Sequence, residues 1–267
     1  MPELPEVETA RRTLAPQILG RRIESVAVHR PPALRTHRPA EAARLLRGRI
    51  FRDVQRRGKA LLLHLDEGWT LVFHYALWGV VVVRPGPVGD AMTAVVVGLD
   101  DGRVIEFREL QLSSLHLVPT ARLDGVSFLA ALGADPLDRS LTYPRFRELL
   151  AGRGSVRGLL TDQRRLAGIG NLWVQEILFA AGLRPTRAAA TLDEAAWRRL
   201  YRAMRTVLGR AVRAGGEPEF LDATGRTGRA RLYVYGRGGQ PCRVCGARIV
   251  ASRAGGRPAF WCPRCQR

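Results

Sequence analysis

The stretch Cys242-Arg243-Val244-Cys245, followed after sixteen residues by Cys262-Pro263-Arg264-Cys265, decides how the end of the chain folds. Each C-x-x-C knuckle supplies two thiolates, and two knuckles at this separation make a closed tetrahedral set for one zinc ion. With sulfur at all four positions no coordination site is left for water or substrate, so the metal is expected to be structural and to hold a hairpin. The chain has no other cysteine. Such usage suits metal ligation in a reducing compartment rather than a disulfide framework.

Outside the finger, composition narrows the partner. The 267 residues carry 43 basic against 24 acidic side chains, a formal charge of +19. A field of that sign attracts polyanions and steers their association, so nucleic acid is the expected partner. Codon bias toward arginine exchanges Lys for Arg and does not create an excess over Asp and Glu. Arg253 and Arg257 lie on the loop between the cysteine pairs, and Arg257 is the residue assigned to a DNA phosphate. Forty-two of the 43 basic residues are arginine and one, Lys59, is lysine. An ammonium is a compact charge on a flexible stem, whereas a guanidinium is planar and permanently protonated, so a site that needs an amine resists the exchange. Lys59 is therefore a candidate functional residue. An apolar share of 46% at this length supports two packed units. No apolar run approaches the roughly eighteen residues that cross a bilayer, and the first residues lack the pattern of a secretory leader. A cytosolic protein is expected.

Residues 3 to 19 read as a helix, with Leu4, Val7, Leu14 and Ile18 at helical intervals and Glu3, Glu6 and Glu8 in the first turns. From Ile23 to about Val118 the texture is short β-rich runs, among them Ala60 to Leu65, Leu71 to His74, Val80 to Arg84, Ala94 to Val97 and Val104 to Phe107. Turn signals such as Asp100-Asp101-Gly102 separate them, which predicts an antiparallel sandwich or barrel. Gly133-Ala134-Asp135-Pro136-Leu137 reads as a linker, and the pattern is helical from Pro144 to about Gly215. Within that region Gly168-Ile169-Gly170-Asn171 makes a glycine-rich turn into a new helix, a geometry that can aim backbone N–H groups at a phosphate.

At the other end, removal of Met1 before the small residue Pro2 would expose a secondary amine that is partly neutral at physiological pH. Amine nucleophiles form Schiff bases with carbonyl carbons, and the open sugar beneath a removed base offers one. Glu3 or Glu6 beside that amine could relay protons.

These pieces occur together and in order. Met1-Pro2-Glu3-Leu4-Pro5-Glu6-Val7-Glu8-Thr9 looks like the opening of the formamidopyrimidine-DNA glycosylases. Arg57-Gly58-Lys59, the Gly168 to Asn171 turn with Glu176 following, and the Cys242 to Gln266 finger resemble the same superfamily, which also holds the endonuclease VIII branch. The resemblance implies an α+β multidomain fold: an N-terminal catalytic helix and antiparallel β-sandwich over 1–132, a linker over 133–143, a helix-two-turns-helix DNA-binding domain over 144–232 and a β-hairpin zinc finger over 233–267. DNA would lie in the cleft between the halves. It further implies a monomeric bifunctional glycosylase and abasic-site lyase that excises oxidised bases from double-stranded DNA by β,δ-elimination, with one structural Zn2+ per chain. In that scheme Pro2 is the nucleophile, Glu3 the proton-transfer acid and Lys59 the lysine that contacts the DNA backbone beside the lesion. Asn171 and Arg257 bind phosphate, and Glu6 is a further acidic position at the active-site edge.

Two loops depart from the formamidopyrimidine pattern. That branch fills the hole left by a flipped base with a Met from one loop and an Arg and a Phe from another. Here the first loop reads His74-Tyr75-Ala76-Leu77-Trp78-Gly79, and the second, Glu106 to Ser113, has no Arg-Arg-Phe-Gly. This is similar to the endonuclease VIII branch, whose first loop supplies all the fillers, so Ala76, Leu77 and Trp78 are the candidates. The alternative places Leu77 and Trp78 in the sandwich core. The lost second-loop residues also leave open a non-catalytic relative that binds damaged or bent duplex.

Overall fold

The computed structural model describes residues 2–86, 89–109 and 112–267. The chain divides into two compact units, Met1–Ala130 with Ala214–Arg229, and Ala131–Arg213 with Ala230–Arg267. Residues 214–229, read from the sequence within the helical stretch 144–232, cluster with the first unit. That segment is bonded to the first unit: the N–H of Val83 donates to the carbonyl of Ala223 at 2.9 Å, and the N–H of Ala223 donates to Thr13 Oγ1 at 3.1 Å. Among the described residues no helix is long and apolar enough to cross a membrane.

In the first unit, chain order runs α1 (Leu4–Ile18), β1 (Ile23–Val28), α2 (Pro39–Leu46), β2 (Phe51–Arg57), β3 (Ala60–Leu65), β4 (Trp69–His74), β5 (Val80–Arg84), β6 (Thr93–Leu99), β7 (Val104–Arg108), β8 (Ser114–Pro119) and α3 (Ser127–Ala130). Two antiparallel four-stranded sheets form, ordered β1-β6-β7-β5 and β2-β3-β4-β8. Their shared core takes Val7, Leu14 and Ile18 from α1 together with Phe51, Leu61, Phe73, Val97, Ile105 and Phe107. Phe73 meets Phe107 edge-on at 5.3 Å between centroids, a favoured aromatic geometry. Strands β3 and β5 have the bounds the β-rich runs predict. Strand β2 escapes it because only Phe51 and Val54 of its seven residues are buried and charged side chains fill most of the rest. Helix α2 interrupts the stretch expected to be β-rich: Pro39 opens its first turn and Ala42 and Leu46 supply its buried side.

The second unit contains α4 (Tyr143–Leu149), α5 (Val156–Thr161), α6 (Asn171–Ala181), α7 (Glu194–Arg213), β9 (Val250–Ala254) and β10 (Arg257–Trp261). The antiparallel pair β9–β10 is the finger hairpin. Helix α6 is buried nearly all round, so its polar side chains find partners inside the protein. The Glu176 carboxylate accepts the N–H groups of Tyr233, Val234 and Tyr235 at 2.8 to 2.9 Å and so anchors the chain entering the finger. Burial pushes its pKa up against the pull of those donors. At the finger's end, Gln266 accepts from the Cys262 N–H at 2.8 Å and donates to the Leu183 carbonyl at 2.7 Å.

One ion cluster fixes α1 on its sheet. Glu8 accepts from Arg11 at 2.9 and 3.1 Å, from Arg12 at 2.7 Å and from Arg56 of β2 at 3.2 Å. Arg56 also donates to the Gly58 carbonyl at 3.2 Å, in the turn that carries Lys59. Burial alone would raise the Glu8 pKa, but the hydrogen bonds from Arg11 and Arg12 and the charges of Arg11 and Arg56 outweigh it and hold the value at about 2. A depressed folded-state pKa contributes stability that is complete above the ordinary value of 4.5 and is lost as pH falls toward 2. Glu8→Gln is accordingly expected to lower the unfolding midpoint at neutral pH and to lose most of that deficit near pH 2. Denaturant titrations of parent and variant across this range check it, and a deficit of constant size would show that the ion cluster is not its source.

Candidate active site and zinc finger

The head of α1 is built from carboxylates that face inward. Glu3 is the N-cap and Glu6 sits at the third helical position, and the two close a capping box. Glu6 Oε2 accepts the Glu3 N–H at 3.0 Å, while Glu6 Oε1 accepts the N–H of Glu217 at 3.0 Å. Both carboxyl side chains are fully buried, and Pro2 is buried beside them. Glu6, expected at the active-site edge, has its two oxygens committed to backbone donors inside the first unit, where it holds the neighbours of Pro2 in place. Met1 lies outside the described residues.

Lys59 stands in the β2–β3 turn. Gly58, the first residue of that two-residue turn, has φ of +56°, a left-handed conformation that glycine adopts without cost. Lys59 is half-buried, and its carbonyl accepts the Tyr75 N–H at 3.0 Å, which sets the lysine turn against the loop leaving β4. At the end of β4, His74 stacks on Phe128 with centroids 4.1 Å apart. Burial, then the charges of His116 and Lys59, push the His74 pKa down to about 4, so its ring is neutral at physiological pH.

The loop after Tyr75 presents Leu77 and Trp78 to solvent, 43% and 52% exposed, so neither belongs to the sandwich core. Ala76 is half-buried. Ser113, fully buried, accepts the Ala76 N–H at 3.2 Å and donates to the Trp78 carbonyl, so a single hydroxyl spans both ends of the candidate tripeptide. In the second loop Leu110 and Gln111 lie outside the described residues, and the adjacent Leu112 is 56% exposed. Among its described residues the second loop thus puts the apolar side chain of Leu112 in solvent.

In the second unit, Asn171 opens α6 and is 8% exposed. Its amide donates to the Pro258 carbonyl at 3.3 Å, and its oxygen accepts from the Arg157 guanidinium. Arg157 is buried and donates also to the Ala254 carbonyl at 2.5 Å, on the residue before the hairpin tip. Burial and then the charge of exposed Arg257 lower the Arg157 pKa, so the two guanidinium groups lie within electrostatic reach of each other. Two cations and the N–H groups of a helix start, gathered at one end of the finger, suit a phosphate. In the finger the four cysteine sulfurs lie within 4.8 Å of one another, with Cys242 to Cys265 at 3.9 Å and Cys245 to Cys262 at 3.4 Å. Tetrahedral zinc with Zn–S bonds of about 2.3 Å needs sulfurs about 3.8 Å apart. The set fits one structural zinc.

Sequence reading passes over Arg157, Ser113 and Glu8. Arg157 alone left a signal, a charge set among the apolar residues of Val156–Thr161; a buried serine and an acidic residue in a first helical turn look ordinary until their partners are visible.

Comparison with known proteins agrees with this arrangement along the whole chain. Residues 1–112 match the formamidopyrimidine-DNA glycosylase N-terminal domain, residues 132–220 its H2TH domain, and residues 239–267 the zinc finger found in FPG and IleRS. The formamidopyrimidine-DNA glycosylase of Heliobacterium modesticaldum is 40% identical over 277 aligned residues, covering 100% of both chains. The crystal structure of the MutM (Fpg) protein of Thermus thermophilus superposes with a TM-score of 0.85 at 37% identity, over 99% of this chain and 98% of that one. A complex of Lactococcus lactis Fpg with abasic-site DNA superposes with a TM-score of 0.90 at 27% identity, over 99% of each chain. With every segment matched in order and full-length identity of this size, the chain belongs to the formamidopyrimidine-DNA glycosylase family.

Proposed function

We propose that the chain is a base-excision-repair DNA glycosylase with abasic-site lyase activity, acting on double-stranded DNA through a Schiff base on the Pro2 amine. The observation that carries this reading is the Glu3–Glu6 capping box, which holds a buried carboxyl next to Pro2 at the start of α1. Family membership and the abasic-site DNA bound by the Lactococcus relative support the substrate class. The protein acts as a cytoplasmic monomer on this reading.

In the proposed reaction the enzyme bends the duplex and turns a damaged base out of the stack, at a cost of a few kcal/mol that a lesion reduces. The lone pair of Pro2 attacks C1′, the glycosidic pair leaves with the base, and Glu3 protonates the ring oxygen as the sugar opens. The resulting iminium is an electron sink, so β-elimination and then δ-elimination remove the sugar. Lys59 steadies the backbone beside the lesion, while Asn171 and Arg257, the former held by Arg157, bind phosphate. Exposed Leu77 and Trp78, with Ala76 beneath them, occupy the space the base vacates. The zinc holds the finger hairpin that carries Arg257 and takes no part in bond breaking.

Borohydride treatment on an abasic duplex is expected to link the DNA to Pro2, read by peptide mass, and Pro2→Gly is expected to lose at least a hundredfold in trapping while binding DNA as before. Tight binding with no trapping by the parent would select the non-catalytic reading. Leu77→Ala with Trp78→Ala is expected to slow excision of an oxidised base at least tenfold more than cleavage of a ready-made abasic site. Equal losses on the two substrates would remove the space-filling role. Chelation of the metal is expected to unfold the finger and weaken DNA binding at least tenfold, measured by fluorescence anisotropy with metal content read in parallel; unchanged affinity of metal-free protein would remove the finger from the DNA grip.

A further inference from the structure

The segment that returns to the first unit brings a carboxyl group to the head of α1 that none of the roles above uses. Glu217 is 8% exposed. Its backbone N–H is bonded to one oxygen of Glu6, whose other oxygen holds the Glu3 N–H, each at 3.0 Å, so residues 217 and 3 sit on either side of one carboxylate. The approach is close: Gly216 has φ of +88°, and a Cβ there would stand 3.0 Å from Glu6 Oε1. Pro218 restricts Glu217 to an extended backbone and so limits the directions its side chain can take. Burial raises the Glu217 pKa against the pull of the positively charged chain terminus, and the negative charges of Glu219 and Glu3 add to the rise. A carboxylate in that condition is a stronger base than one in water.

We propose that Glu217 is the general base that accepts the N–H proton of Pro2 as the amine adds to the sugar C1′, an assignment that rests on the Pro2 reading. A secondary amine that bonds to carbon becomes cationic and must shed its proton before its lone pair can form the iminium. In the balanced step the nitrogen lone pair forms the N–C1′ bond and the glycosidic pair departs on the base. The N–H pair stays on nitrogen while its proton passes to Glu217 and from there to the departed base. The C1′–O4′ pair then moves to the ring oxygen, which takes the proton of Glu3 as the iminium forms. Glu3 thus donates to oxygen and Glu217 serves nitrogen, a division of labour that a single carboxyl cannot perform at both atoms in one step.

The test uses the full-length zinc-loaded protein. The structural bond of residue 217 is made by its backbone, so Glu217→Gln leaves it intact; Glu217→Ala is the second variant in case the amide disturbs folding. Single-turnover borohydride trapping on an abasic duplex is expected to slow by about 10- to 100-fold. Affinity for a duplex carrying a reduced, uncleavable abasic site is expected to stay within twofold of the parent. Trapping within twofold of the parent in both variants overturns the proposal, as does a parallel fall in rate and affinity, which marks a structural role. If the parent traps through a residue other than Pro2, both readings fall. If it traps through Pro2 and the variants are unaffected, only this one does.

Discussion

Glu6 is a carboxyl group with no solvent contact, and that is tolerable only because each of its oxygens has its own backbone donor. Hydrogen bonds of this kind contribute about 0.5–1.5 kcal/mol each, net of what water would offer. The arrangement fixes three things together: the cap of α1, the position of Glu3, and the return of residues 214–229 to the sandwich. Loss of the carboxylate would leave two buried N–H groups without an acceptor, so the head of the helix and the returning segment stand or fall as one. Pro2 inherits its placement from this one side chain.

The second unit solves a similar problem along α6. Asn171, Gln175 and Glu176 project from one helix and reach three parts of the finger region: the Pro258 carbonyl, the Phe260 N–H and the N–H groups of Tyr233 to Tyr235. Zinc ties one end of the hairpin and the helix side chains tie the other. Arg157 adds a cross-brace from α5 to the residue before the hairpin tip. Arg257 therefore sits on a short hairpin restrained from both ends, which leaves its backbone little freedom to lose on binding a ligand.

Some of this was legible in the residues and some was not, for physical reasons. Cysteine spacing specifies a zinc site almost by itself, because ligand number and geometry leave few alternatives. The single lysine in an arginine-rich chain pointed to Lys59 by chemistry alone. Helix α1 announced itself through periodicity, and strands β3 and β5 as short apolar runs. Periodicity is silent where burial comes from tertiary partners: β2 carries too many charges to alternate, and Glu6 and Glu8 look like ordinary first-turn acids. The exposure of Leu77 and Trp78 is likewise invisible in sequence, since an apolar pair suits a strand end as well as a wedge. Nothing local marks residues 214–229 as part of the first unit, because their partners lie about two hundred residues earlier.

That last separation bears on how the chain comes to be folded. The first unit is interrupted in sequence by the whole of Ala131–Arg213, and one acceptor of Glu6 waits for a donor 211 residues downstream. During synthesis from the N-terminus the sandwich strands emerge long before the segment that finishes their unit. A ribosome-bound chain stalled at any point before Glu217 would hold Pro2 beside a half-satisfied buried carboxyl group. Completion of the helix head is thereby deferred until the helical insertion has been made, so unfinished chains would lack the arrangement that places Pro2.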